Sequence, residues 1–91
     1  MTINANPSYV PTQITSTTLI KTGQGVMGRI FVSAASSTPT ITVYNNVSGT
    51  TNKVVDTFTP VAATTYSFDA AFDVGLNVVI SGTVSCTVLW V

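Results

Sequence analysis

Gly75-Leu76-Asn77-Val78-Val79-Ile80-Ser81-Gly82-Thr83-Val84-Ser85-Cys86-Thr87-Val88-Leu89-Trp90-Val91 is the stretch that decides the fold. Successive side chains of a strand point to opposite faces, so a half-buried strand alternates apolar and polar residues. Leu76, Val78 and Ile80 mark one apolar face, and Val84, Cys86, Val88 and Trp90 mark another, with Thr83, Ser85 and Thr87 between them facing out. Ser81-Gly82 interrupts the alternation with a dipeptide of hairpin type. The expectation is two strands, Leu76–Ile80 and Thr83–Val91, joined by a tight turn in which Gly82 has positive φ.

The rest of the chain extends this pattern upstream. Apolar and β-branched runs at Ile14–Lys21, Val26–Ala34, Thr40–Tyr44, Lys53–Thr59 and Thr64–Phe68 read as further strands. Turn formers separate them: Thr22-Gly23-Gln24-Gly25, Ser36-Ser37-Thr38-Pro39, Asn45 to Gly49, and Pro60. Val54 and Val55 are adjacent and must face opposite ways unless a bulge intervenes. Asp69–Gly75 fits neither strand nor turn cleanly. Sustained 3.6-residue periodicity is missing and helix formers are scarce. The expected fold is all-β, an antiparallel β-sandwich or jelly-roll-like domain of about seven to eight short strands. Residues 13–91 are expected to form a single β-sandwich domain. Residues 1–12, with Pro7 and Pro11, read as an extended N-terminal arm.

Composition excludes more chemistry than it assigns. Of 91 residues only 7% are charged, where roughly 25% is usual. Lys21, Arg29, Lys53, Asp56, Asp69 and Asp73 cancel to zero, so no basic face attracts nucleic acid or anionic lipid. Thr, Ser and Asn supply about a third of the chain. A surface of hydroxyls and short amides suits a protein that spends its life docked, since a free monomer generally carries more charge. The 45% hydrophobic content argues against disorder. No apolar run approaches the roughly 18 residues of a membrane span. The N-terminus lacks the basic and apolar regions of a signal peptide.

There is no His and no Glu, which removes the commonest general base and most metal sites. Asp69 and Asp73 lie four apart, too few ligands to fill a cation's shell, and turn hydrogen bonding accounts for them. Cys86, the only cysteine, has no His to activate it and sits at an inward position, so it reads as core; an intermolecular disulfide is the other reading. Gly23-Gln24-Gly25-Val26-Met27-Gly28 spells a dinucleotide fingerprint, but a strand follows where the fingerprint needs a helix, and no acidic residue stands about 20 positions on. A glycine turn, with Gly28 permitting a bulge or close packing, explains it better. Asn46-Val47-Ser48 matches a glycosylation sequon in a loop. Tyr44, Tyr66 and Trp90 are candidate sugar-stacking aromatics, although each lies in a strand where packing is the simpler duty. Catalytic, cofactor and metal residues are therefore expected to number none, and neither an enzyme nor a small-molecule substrate is expected.

From Thr22 onward the chain resembles small β-sandwich virion proteins of tailed bacteriophages. The resemblance rests on Thr22-Gly23-Gln24-Gly25 before an apolar strand, on Thr40-Ile41-Thr42-Val43-Tyr44 through Gly49, on Tyr66-Ser67-Phe68, and on Gly75-Leu76-Asn77-Val78-Val79-Ile80-Ser81-Gly82-Thr83 before a valine-rich last strand. It spans about residues 20–91. Those relatives often carry Tyr-Asp after the third strand, where this chain has Tyr44-Asn45-Asn46. The resemblance implies a capsid decoration, or cement, protein, synthesised in the host cytoplasm and placed on the capsid surface of the virion. Its partners would be the major capsid protein and itself, as a homotrimer. The alternative is a head- or tail-fibre or tail-tip module binding a host glycan or receptor.

The arm is the candidate protein contact. It carries no charge, and its apolar residues are too few to offset roughly 1–2 kcal/mol of ordering entropy per residue alone. Ile3, Pro7, Tyr9 and Val10 are expected to order against a sister subunit or the capsid.

Overall fold

A computed structural model describes residues 9–91. The chain forms six strands: β1 (Val10–Ile14), β2 (Thr18–Thr22), β3 (Gly25–Tyr44), β4 (Lys53–Phe58), β5 (Thr64–Phe72) and β6 (Gly75–Trp90). All pairings are antiparallel and belong to one hydrogen-bonded sheet in the order β1-β6-β3-β4, with β2 also on β6 and β5 also on β3. The described residues are thus all-β, as the alternating patterns require.

The strand count differs from expectation because two breaks in the pattern are not breaks in the ladder, while the expected single strand Ile14–Lys21 divides at residues 15–17 between β1 and β2. β3 runs through Ser36-Ser37-Thr38-Pro39, and β6 runs through Ser81-Gly82. The two interruptions lie opposite each other, with Ser36 paired to Thr83 and Thr40 to Ser81. β3 thereby carries two more residues than β6 across this interval. Ser37 and Thr38 absorb them in the left-handed region, at φ 61° and 44°, and Gly82 answers at φ 87°. Gly82 has the positive φ expected of it, but in a corner of a continuous strand and not in a hairpin. Pro39 is buried there; a bulge is where a proline can sit inside a sheet, because its missing N–H need not serve the ladder.

The corner folds the two long strands sharply. Phe58 pairs beside Ile41 and Tyr66 beside Ile30. In a straight strand those β3 positions would be about 36 Å apart. Yet the Phe58 and Tyr66 rings are 4.9 Å apart between centroids, and Phe58 to Phe68 is 6.1 Å. The far ends of β3 also meet: Asn45, just past one end, bonds to Asp73, Val74 and Gly75, which follow the partner of the other end.

One core lies inside this fold. Ile30, Val32, Val84, Cys86 and Val88 from one side of the corner share it with Ile41, Val43, Leu76 and Val78 from the other. Ile80 and Trp90, expected inside, are half-buried against it. Burying such side chains contributes roughly 1.5–3 kcal/mol each. Val54 and Val55 are both half-buried, and β4 shows the expected irregularity in register against β3. The ambiguous segment Asp69–Gly75 resolves into the end of β5, a turn at Asp73-Val74, and the start of β6. Residues 10–12, read as part of the arm, belong to β1: Val10 pairs with Trp90 and Thr12 with Val88. Pro11 is tolerated because β1 is an edge strand.

Candidate functional site

The expected contact residues divide at Tyr9. Ile3 and Pro7 lie outside the described residues. Val10 is on the edge strand β1, 46% exposed. Tyr9 sits against its own subunit, over Gly28. A Cβ at position 28 would lie 2.6–3.0 Å from the Tyr9 ring, so only glycine admits the ring at this distance. Two irregularities meet at the same level. Gly28 is an extra residue of β3 against β6, and β5 has one extra residue against β3, with Phe68 and Asp69 (φ 50°) both opposite Gly28. Tyr9 bridges them. Its hydroxyl reaches Asp69 Oδ1 at 3.5 Å, a long hydrogen bond, and the Arg29 guanidinium lies 5.8 Å from its ring centroid. The strand-glycine reading of the G-x-G-x-x-G motif therefore identified the position, but nothing local to Gly28 pointed to a residue 19 positions upstream.

The face that Tyr9 crosses is polar and nearly uncharged. Phe31, 40% exposed, lies at its centre, with Thr65 of β5 and Thr87 of β6 as cross-strand neighbours. Ser33 and Ser85 continue the surface in hydroxyls, tied by a bond from Ser33 Oγ to the Ser85 carbonyl at 3.0 Å, and Gln13 Nε2 donates to Ser85 Oγ at 3.2 Å. Arg29 is its one cation. Such a surface offers neutral hydrogen-bonding groups around a single large apolar contact.

The end of the molecule away from the corner is held by Asn45. Its Oδ1 accepts from the backbone N–H groups of Asp73 (3.2 Å), Val74 (2.9 Å) and Gly75 (3.3 Å), and its Nδ2 donates to Asp73 Oδ1 at 2.6 Å. A shallow open groove beside it is lined by Gly25, Val26, Phe72 and Val91. In the adjoining loop the sequon residue Asn46 already uses its side chain, donating to Thr51 Oγ1 at 2.9 Å and accepting from the Val47 N–H at 2.8 Å.

The candidate aromatics do not gather. Tyr44 is buried; Tyr66 packs on Phe58 and its hydroxyl accepts the Val61 N–H at 3.0 Å. Trp90 donates from Nε1 to Thr12 Oγ1 at 2.9 Å, with Lys21 Nζ 5.7 Å from its ring. Among the described residues, no three of His, Cys, Asp or Glu come together as metal ligands. Burial pushes the Cys86 thiol up to about 11, so the thiolate that nucleophilic chemistry requires is disfavoured. Lys53 and Asp56 form an exposed ion pair at 3.0 Å; their shared hydrogen bond raises the lysine and lowers the aspartate.

No protein-family model matches the chain. No curated protein matches it. No solved structure matches it.

Proposed function

We propose that the chain is a structural virion component, a capsid decoration protein that binds the outside of a phage head and stabilises the lattice of its major capsid protein. The observation that carries the reading is the nearly uncharged, hydroxyl-covered face centred on Phe31, which suits permanent docking better than free dispersal. The resemblance of residues 20–91 to small phage virion proteins supports it, and its quoted segments fall on the framework of the molecule: the turn before β3, the second half of β3, and β6 with its corner. In this reading the two halves of the bent sheet face each other as the layers of a sandwich. The protein works as a homotrimer at local three-fold positions, within the virion.

The mechanism is thermodynamic. A ligand that binds only the assembled shell stabilises it by mass action, and many copies bridging neighbouring subunits resist the pressure of packaged DNA. Neither catalysis nor a cofactor enters. The alternative, a fibre or tail-tip module gripping a host glycan, calls for an exposed aromatic cluster; Tyr44 is buried and Tyr66 and Trp90 are occupied in packing, which leaves that reading with less support.

Mixing the purified protein with undecorated heads, followed by electron microscopy of the particles, tests the proposal. The expected result is regular density on the outer shell and a raised temperature of head disruption. Heads that gain neither density nor stability overturn it.

A further inference from the structure

β1 is held more lightly than the strand it covers. Among the described residues it pairs only with β6, from Val10 opposite Trp90 to Ile14 opposite Cys86. Ile14 is its one buried side chain. Pro11, opposite Leu89, brings no N–H to the ladder. Its side-chain ties are weak in number: Trp90 Nε1 donates to Thr12 Oγ1 at 2.9 Å, and Gln13 Nε2 donates to Ser85 Oγ at 3.2 Å. Just before it, the Tyr9 ring rests on Gly28, and the Tyr9 hydroxyl reaches Asp69 only at 3.5 Å. Just beyond it the attachment changes. Thr17 is pinned to β6, where its Oγ1 accepts the Ile80 N–H at 2.9 Å and donates to the Ile80 carbonyl at 3.3 Å. Between Ile14 and that anchor stand only Thr15 and Ser16, both exposed. The other edge strands, β2, β4 and β5, run on into the described chain at both ends.

We infer that residues 9–14 are a strap: they open as one unit about a hinge at Thr15-Ser16, with the Tyr9 ring on Gly28 as the latch, while the rest of the sheet stays folded. Local opening of this kind draws on segments with few buried contacts and leaves the cooperative body intact. The body keeps its hold on β6 because β3 pairs along the other side of the same residues: Met27 opposite Trp90, Ile30 opposite Val88 and Val32 opposite Cys86. Thr17 keeps β2 in place. Gly28 serves the latch by what it lacks, since a Cβ there would stand 2.6–3.0 Å from the ring atoms and lift the ring away. Lifting the strap bares the β6 edge from Cys86 to Trp90, a stretch without a charge or a proline. Unpaired N–H and C=O groups on such an edge template pairing with another strand. The latch therefore decides whether this edge is covered or available. The strap is independent of the capsid reading.

Native-state hydrogen exchange in increasing, sub-denaturing urea tests it, with the wild type, Tyr9→Ala, Gly28→Ala and Asn45→Ala. In the wild type the β1 amides bonded to β6 should exchange about tenfold or more faster than those of Ile30 and Val32, and with little response to urea, because a local opening exposes little surface. Tyr9→Ala and Gly28→Ala should each speed the β1 amides about fivefold or more, since either one removes the latch. Asn45→Ala acts on the Asp73-Val74 turn and not on the strap, so it should speed the amides of the body and leave those of β1 unchanged. Circular dichroism checks that each variant is folded, and Tyr9→Ala carries the latch test if Gly28→Ala does not fold. Three results overturn the inference: β1 amides that exchange only together with the body, β1 amides that the latch variants leave unchanged, or β1 amides that Asn45→Ala speeds as much as it speeds the body.

Discussion

Gly82 lies against Pro39: a Cβ at position 82 would stand 2.8 Å from the Pro39 Cα and 3.1 Å from its Cβ. The corner of the fold therefore depends on a missing methyl group as well as on the φ of 87°. Gly82→Ala meets both penalties and should destabilise by about 2–4 kcal/mol. Gly49→Ala, at φ 83° with nothing within 4 Å, meets only the backbone penalty and should cost about 1 kcal/mol. Urea titrations of the two variants measure the difference. Equal costs would show that the Pro39 contact contributes nothing.

Tyr9 and Gly28 form a lock between the start of the described chain and a strand it does not pair with. Tyr9→Ala should cost about 1 kcal/mol in lost ring burial. Gly28→Ala evicts the ring and should cost as much or more. Because both variants break the same contact, the double variant should be clearly less destabilised than the sum of the two. A denaturation-based double-mutant cycle measures this. Strict additivity would mean that the ring does not rest on Gly28 in solution.

Asn45 satisfies three backbone donors of the β5–β6 turn with one oxygen. Asn45→Ala should cost about 1 kcal/mol, since three N–H groups lose their acceptor but only that of Gly75 is partly buried and the other two can turn to water. Asn45→Asp keeps the acceptor but sets a carboxylate against Asp73 Oδ1 in place of the donor now 2.6 Å away. At neutral pH it should also destabilise, and high salt should recover part of the loss by screening. Thermal melts at low and high ionic strength compare the variants.

Cys86 makes alkaline stability a probe of the core. Its thiol is fully buried and raised to about 11, while the unfolded chain loses this proton near 9. Below about pH 9 both states hold the proton and its contribution is intact. Between about 9 and 11 the unfolded state binds fewer protons, so stability falls as pH rises. Cys86→Ala should start less stable at pH 7 because of the cavity, by about 1–2 kcal/mol, and should lose less across this window. Parallel urea titrations at pH 8 and 10.5 give the comparison. An identical pH slope in both proteins would mean that the thiol ionises as freely folded as unfolded.

The amino-acid order by itself determined the strand character of the chain and part of the inward-facing set, though not the burial of Met27 and Phe72 or the half-exposure of Ile80 and Trp90. Period-2 alternation is a local property, so Leu76, Val78, Val84, Cys86 and Val88 could be placed before any pairing was known. The absence of His and Glu was likewise legible at once, because composition needs no geometry. Gly82 and the bulge role of Gly28 could be read because few residues tolerate those backbone sites.

Only the tertiary structure decided what the interruptions mean. A glycine of positive φ serves a hairpin and a strand corner equally well, and nothing near Ser81-Gly82 tells which. The answer lies more than 40 residues away, where Ser36–Pro39 supplies a matching irregularity on the facing strand, so pairing resumes beyond both. Tyr9 lodged on Gly28 and Asn45 capturing the Asp73-Val74 turn have the same origin. Each joins residues remote in sequence, and such contacts are set by how the whole sheet closes around its core, not by local preference.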